Sequence, residues 1–242
     1  MNKTILKSVL ATSIVLVLLA CSSDNEKGNN NATTNEEIPN NVQVAIDSPT
    51  SILSEALANT LSYMGNEERL AYDVYNRLYV EWGTKQFTNI AQKSEIKHIQ
   101  AVQQLVQKYN IDDDMDFTNI DLPALGYMHT PVDSMEAGTY DIAKIQRLYD
   151  DLISSGVASE VEALKVGCRV EVVDVTDLDA YITLAEQSSA SDVVEVFNYL
   201  RDGSYNHYWA FDKGLKKKGI TEGCCTWMEL CHLEYPQNEK GH

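Results

Sequence analysis

Basic residues are in short supply in this 242-residue chain: 19 Lys and Arg stand against 36 Asp and Glu, a formal charge of -17. Affinity for a phosphate backbone comes largely from Lys and Arg, so nucleic acid is excluded as a partner, whereas cations would gather around such a chain. With 12 Gly and 5 Pro there is too little of either for a collagen-like or broadly low-complexity architecture. Repeated long apolar runs are missing too, which excludes a polytopic membrane protein. Phe and Trp are rare, 4 and 3, beside 13 Tyr, so the aromatic content is mostly amphipathic. The apolar 44% that remains suffices, at this length, for one sizeable core or two small ones.

The two ends stand apart from the fold. Lys3 and Lys7 form a basic n-region and VLATSIVLVLLA a short h-region, too short for a comfortable membrane span. The segment ends in Leu18-Leu19-Ala20-Cys21, which resembles the lipobox of bacterial lipoproteins. That resemblance implies a signal peptide over 1–20, cleavage before Cys21 and a lipid on its thiol. The mature protein would then be tethered in the cell envelope outside the cytoplasm, at the outer membrane or cell surface. An ordinary secretory signal abutting a cysteine is the alternative. Loss of Lys3 and Lys7 takes the charge to -19. Residues 21–50 are polar and aromatic-poor, the composition of a flexible tether.

Four cysteines remain after Cys21: Cys168, Cys224, Cys225 and Cys231. An even number in an oxidising compartment predicts disulfides, and three pairings are open. Joining Cys224 to Cys225 would be strained. The competing reading is a soft-metal cluster of Cys224, Cys225, Cys231 and His232, whose spacing is not a usual zinc pattern.

From Ser51 onward, apolar residues recur at helical spacing and no strand alternation persists. Helix A spans about 52–82 and stops at Gly83; helix B, capped by Thr88 or Asn89, runs to Asn110. A long crossover with two prolines follows, carrying a short helix over 140–155 that ends at Gly156. Helix C starts from Ser159 with Glu162 at the capping-box position and reaches Gln187; helix D opens at Ser191 and Asp192 and runs to Lys218. This predicts an all-α four-helix bundle over 51–220 with a cysteine-rich extension over 221–242.

The informative residues are charged ones on stripes that should be apolar. Helix A places Glu68 between Met64 and Ala71, with Glu67 turned about 100° away. Helix B places Glu95 and His98 between Ala91 and Val102; helix C, Glu171 and Asp174 between Gly167 and Leu178; helix D, Ser204 and His207 between Leu200 and Phe211. Four buried carboxylates are costly unless cations neutralise them, and two divalent ions balance four negative charges. With two histidines this is the composition of a di-iron or di-manganese carboxylate site. Glu-x-x-His also occurs at Glu229/His232 and Glu239/His242, but only Glu95/His98 lies on the apolar stripe of a long helix.

The stretches YMGNEERLAYDVYNRLYVEWG, FTNIAQKSEIKHIQAV, YDDLISSGVASEVEALKVGCRVEVVDVTDL and NYLRDGSYNHYWAF touch most of residues 55–215. In them the chain resembles the ferritin-like superfamily, and within it the branch known as domain of unknown function 2202. The resemblance implies a ferritin-like bundle with metal ligands at Glu68, Glu95, His98, Glu171 and His207, and Asp174 in addition. Ser204 departs from the pattern, standing where many superfamily members carry the glutamate of a second Glu-x-x-His; either Asp174, one turn from Glu171, supplies the missing carboxylate, or one metal keeps water and is more open.

The expected function is therefore that of an exported, membrane-anchored di-iron protein, with manganese or zinc as alternative metals. It would oxidise Fe(II) or reduce oxygen or peroxide, as a ferroxidase or peroxidase does. With no Cys-x-x-Cys pair for a rubredoxin-like domain, an electron donor would be external. The contrasting expectation is a non-catalytic surface module that binds a metal ion or a partner on the same bundle. Tyr72, Tyr75, Tyr205 and Tyr208 lie near the expected ligands, as electron relays or as core filler; His129 falls in the crossover, and Lys216, Lys217 and Lys218 complement the helix D dipole.

Overall fold

The structure is a computed structural model that describes residues 38–111, 136–140 and 142–237. The signal segment, Cys21, the first part of the tether, most of the crossover with His129, and the Glu239/His242 pair lie outside the described residues. The chain is an all-α helical bundle, with no strand among the described residues. Its elements are α1 (Asn40–Ile46), α2 (Glu55–Trp82), α3 (Lys85–Ile90), α4 (Ile96–Lys108), α5 (Ala143–Gly156), α6 (Glu160–Gln187) and α7 (Ser191–Lys217). A π-helical turn, Ala91–Glu95, fuses α3 to α4, and two 3-10 turns, Gly223–Thr226 and Met228–Leu230, close the chain.

Local chemistry sets the helix ends. Ser54 caps α2 by accepting from the Leu57 N–H at 3.2 Å, and Gly83 ends it at φ +66°, a left-handed conformation that favours glycine. Ser159 caps α6 through the Glu162 N–H at 3.1 Å, as expected. Helix B starts earlier than its Thr88 or Asn89 cap suggested, because Thr84 already precedes the first helical residue. The Thr84 hydroxyl donates to Glu160 at 2.5 Å instead of capping.

Two apolar clusters fill the bundle. One gathers around Tyr75, Phe87 and Phe211, whose ring centroids lie 5.2–6.0 Å apart, and the other around Leu61, Val102 and Phe197. Between them along each long helix lies a polar layer: Glu68, Glu95, His98, Glu171, Asp174, Ser204 and His207, all buried.

Two expectations need revision. Helix α1 lies inside the stretch read as tether: Val42 and Ile46, four residues apart, bury into the second cluster, and Asn41 donates to Glu195 at 2.7 Å. A seven-residue helix is not stable alone; docking stabilises it, and average composition hides so short an apolar pair. The soft-metal cluster is excluded, because all four thiols are oxidised in the pairs Cys168–Cys224 and Cys225–Cys231, and His232 instead pairs with Glu234 at 2.7 Å. The first bridge closes a loop over a separation of 56 residues, a constraint on the unfolded chain worth about 2–4 kcal/mol. It fastens the C-terminal segment to α6. Tyr208 adds a second tie, donating to the Leu230 carbonyl at 2.7 Å.

Candidate metal centre

Four helical segments each bring a ligand-type side chain to one depth. Glu68 comes from α2, His98 from α4, Glu171 from α6 and His207 from α7, while Glu95 ends the π turn. A π turn widens the helix by one residue per turn and recurs at functional sites. Apolar periodicity alone predicts an unbroken α-helix over this stretch.

The side chains converge as two triads that share Glu95. Within Glu68, Glu95 and His98, and within Glu95, Glu171 and His207, one ligand atom per residue lies within 4.8 Å of the others. Glu95 turns one oxygen to each histidine: Oε2 is 3.0 Å from His98 Nδ1, and Oε1 is 3.1 Å from His207 Nδ1. Outward from these, His98 Nδ1 is 3.0 Å from Glu68 Oε2, and His207 Nδ1 is 3.5 Å from Glu171 Oε2. The imidazoles stack at 5.7 Å between centroids.

Electrostatics in the metal-free state follow from burial and charge. Burial disfavours a charged His98, but Glu68 and Glu95 overcome it and lift its pKa to about 10. His207 is likewise held well above its ordinary value, burial opposing and Glu95 and Glu171 prevailing. Glu95 is lowered, since the two histidines outweigh its desolvation; burial raises Glu68 to about 7 and also raises Glu171. Protons on the imidazoles thus compensate part of the carboxylate charge. The donor set also suits a cation: Glu68 Oε1 is buried without a hydrogen-bond partner, and one carboxylate is shared between two groups that each hold a nitrogen and two carboxylates.

Of the expected ligands, Glu68, Glu95, His98, Glu171 and His207 come together. Asp174 is buried beside them but outside both triads, accepting a hydrogen bond from the Ser204 hydroxyl. Tyr75 is inside the site, donating to Glu171 Oε1. Tyr72 accepts from Gln92 at 3.1 Å, and Tyr205 and Tyr208 pack against Tyr235. Glu229 and His232 lie in the C-terminal segment and belong to neither triad.

Two features were missed. Glu67 is 5% exposed rather than on an open face, because every residue of α2 from Met64 to Tyr75 is buried. Gly203 lets α7 approach His98: a Cβ there would sit 2.5 Å from His98 Cε1 and Nε2. Gly203→Ala is therefore expected to displace the imidazole, costing about 1–3 kcal/mol of stability and weakening metal binding at that triad. Wild-type metal content and melting temperature in this variant would refute the close approach.

Known proteins place these residues in a family. The model of the Uncharacterized protein domain (DUF2202) matches residues 58–125 and 124–226. An uncharacterized protein of Methanocaldococcus jannaschii, MJ0754, is 36% identical over 171 residues, covering 71% of this chain and 81% of its own. The crystal structure of that hypothetical protein superposes with a TM-score of 0.59 at 35% identity, covering 71% of this chain and 86% of the other. The chain belongs to the DUF2202 family.

Proposed function

We propose that the chain is a ferritin-like di-iron carboxylate protein, exported and tethered through a lipid on Cys21, that oxidises Fe(II) or reduces oxygen or peroxide. The observation that carries the reading is Glu95, one carboxylate with an oxygen toward each of two histidines and common to both triads. Glu68, Glu95 and His98 would hold one ion, and Glu95, Glu171 and His207 the other; manganese and zinc suit the same donors. Bound iron supplies the Fe(II)/Fe(III) redox change.

The chain supplies charge, orientation and exclusion of water. Tyr75 orients Glu171 by donating to its Oε1, and Ser204 holds Asp174 beside the centre as a further carboxylate. A cavity walled by Leu70, Ala71, Leu148, Leu152 and Val170 reaches Glu68, Glu95 and Glu171. Its apolar wall suits a small neutral oxidant and disfavours bulk water.

Elemental analysis of the full chain after aerobic Fe(II) loading tests the reading. About two irons per chain are expected, with oxygen or peroxide consumed during loading. A chain that retains no metal would sink it.

Proton balance provides a separate check. Below about pH 10 the metal-free centre holds a proton on His98, and a metal ligand must be unprotonated. Uptake is expected to release protons, and apparent affinity to rise between about pH 6 and pH 9. Calorimetric titration in buffers of different ionisation enthalpy would measure this release; pH-independent uptake would contradict the assignment.

A further inference from the structure

A second acidic group lies beside the centre and has no part in either triad. Glu67 is 5% exposed, lines the cavity, and has no hydrogen-bond partner on Oε1 or Oε2. Tyr63 Oη, next to it, is buried and has no partner beyond Glu67 itself. Asp177 and Asp174 face Glu67 with like charge. Two buried carboxylate oxygens without a well-formed hydrogen bond, set among further carboxylates, are a costly arrangement for a merely structural role.

The sequence spacing gives the cluster a direction. Glu171, Asp174 and Asp177 recur every third residue on α6, so they lie along one side of that helix opposite Glu67 and Glu68 of α2. Glu171 is buried at the centre, whereas the Asp177 side chain is 26% exposed. The outer end carries a cation of the protein's own: Lys144 Nζ, on a side chain 64% exposed, lies 3.8 Å from Asp177 Oδ2 and 4.7 Å from the Tyr63 ring centroid.

We propose that Glu67 and Asp177, with Tyr63 Oη, form an outer station for a hard divalent cation on its way to the centre, and that the Lys144 ammonium is the counter-charge it displaces. All-oxygen donors suit Mn2+ or Fe2+ rather than a soft metal. Asp174 then hands the ion inward to Glu68 and Glu171. The station itself is independent of the di-iron reading; its role as an entry route rests on that reading.

Mn2+ binding to the full chain, counted by loss of the free-ion electron paramagnetic resonance signal, tests both parts. In a Glu95→Ala/His98→Ala background one Mn2+ is expected to remain, and adding Glu67→Gln or Asp177→Asn is expected to remove it. With the centre intact, Glu67→Gln should slow Mn2+ uptake about tenfold or more. Lys144→Gln, a change at an exposed position, should tighten the outer ion about two- to fivefold. No Mn2+ bound in the Glu95→Ala/His98→Ala chain, or a bound ion indifferent to Glu67→Gln, overturns the station. Uptake by Glu67→Gln at the wild-type rate overturns the route. A Glu67-dependent ion in a chain whose centre binds nothing would support the station while sinking the di-iron reading.

Discussion

Replacing Glu95 by alanine is expected to empty both halves of the centre at once, taking the two triads from about two metal ions to essentially none. Glu95 belongs to both triads and is the residue that meets both histidines. Losing an outer-shell partner of a metal ligand already costs about 10–100-fold in affinity, so losing a ligand common to two ions should cost more at each. Glu95→Gln is the sharper variant. It keeps the volume but replaces one acceptor oxygen by a donor NH2, which cannot face a cation. Both variants are expected to fold, because His98 keeps Glu68 and His207 keeps Glu171 as partners. Elemental analysis beside a circular-dichroism melt separates metal loss from unfolding. Retention of a full complement of metal by folded Glu95→Gln would refute the bridging role.

A comparable loss, of stability instead of metal, is expected for Arg69→Ala. Arg69 is fully buried next to Glu68 and lies 3.5 Å from Asp73 Oδ2. Its guanidinium donates to the carbonyls of Glu136 and Thr139 and stands 4.8 Å from the Tyr140 ring centroid. Asp73 receives further bonds from the Gly138 N–H at 2.9 Å and Tyr140 Oη at 2.6 Å. One ion pair thus anchors the end of the crossover to α2. Burial raises the Asp73 pKa even against Arg69, so the carboxylate depends on its partners. Removing one member of a buried pair leaves the other charge uncompensated and costs about 3–5 kcal/mol. For a chain of this size the melting temperature should fall on the order of 10 °C. Arg69→Lys should recover little, since a lysine has no fork to serve a carboxylate and two carbonyls together. Denaturant unfolding that shows less than about 1 kcal/mol lost would remove Arg69 from this role.

The stripes legible in the sequence are buried along the middle of every long helix, with Trp82 and Tyr109 at their ends only partly so. Met64, Glu68, Ala71 and Tyr75 are buried in α2, and Phe197, Leu200, Ser204, His207 and Phe211 in α7. A charged residue on an apolar stripe is a local anomaly, visible at a spacing of three to four residues, so the ligand types could be read without coordinates. Glu67 could not. Its burial depends on neighbours packed across a second side of α2, among them Leu148 and Leu152 of α5, which share its cavity. The partner of Arg69 was equally hidden, because Glu136, Thr139 and Tyr140 lie about seventy residues further along the chain.

By itself, then, the sequence determined the all-α class, the helix stop at Gly83 and the cap at Ser159, and which ligand-type residues lie on the apolar stripes, because periodicity and capping are short-range properties of the backbone. The tertiary structure alone decided that Glu95 faces both histidines, that Ser204 holds Asp174 off the triads, and that Cys168 pairs with Cys224 and Cys225 with Cys231. Each of those depends on the distance between atoms on different helices. Such distances are set by how whole faces pack, as Gly203 shows by admitting His98 where any Cβ would exclude it.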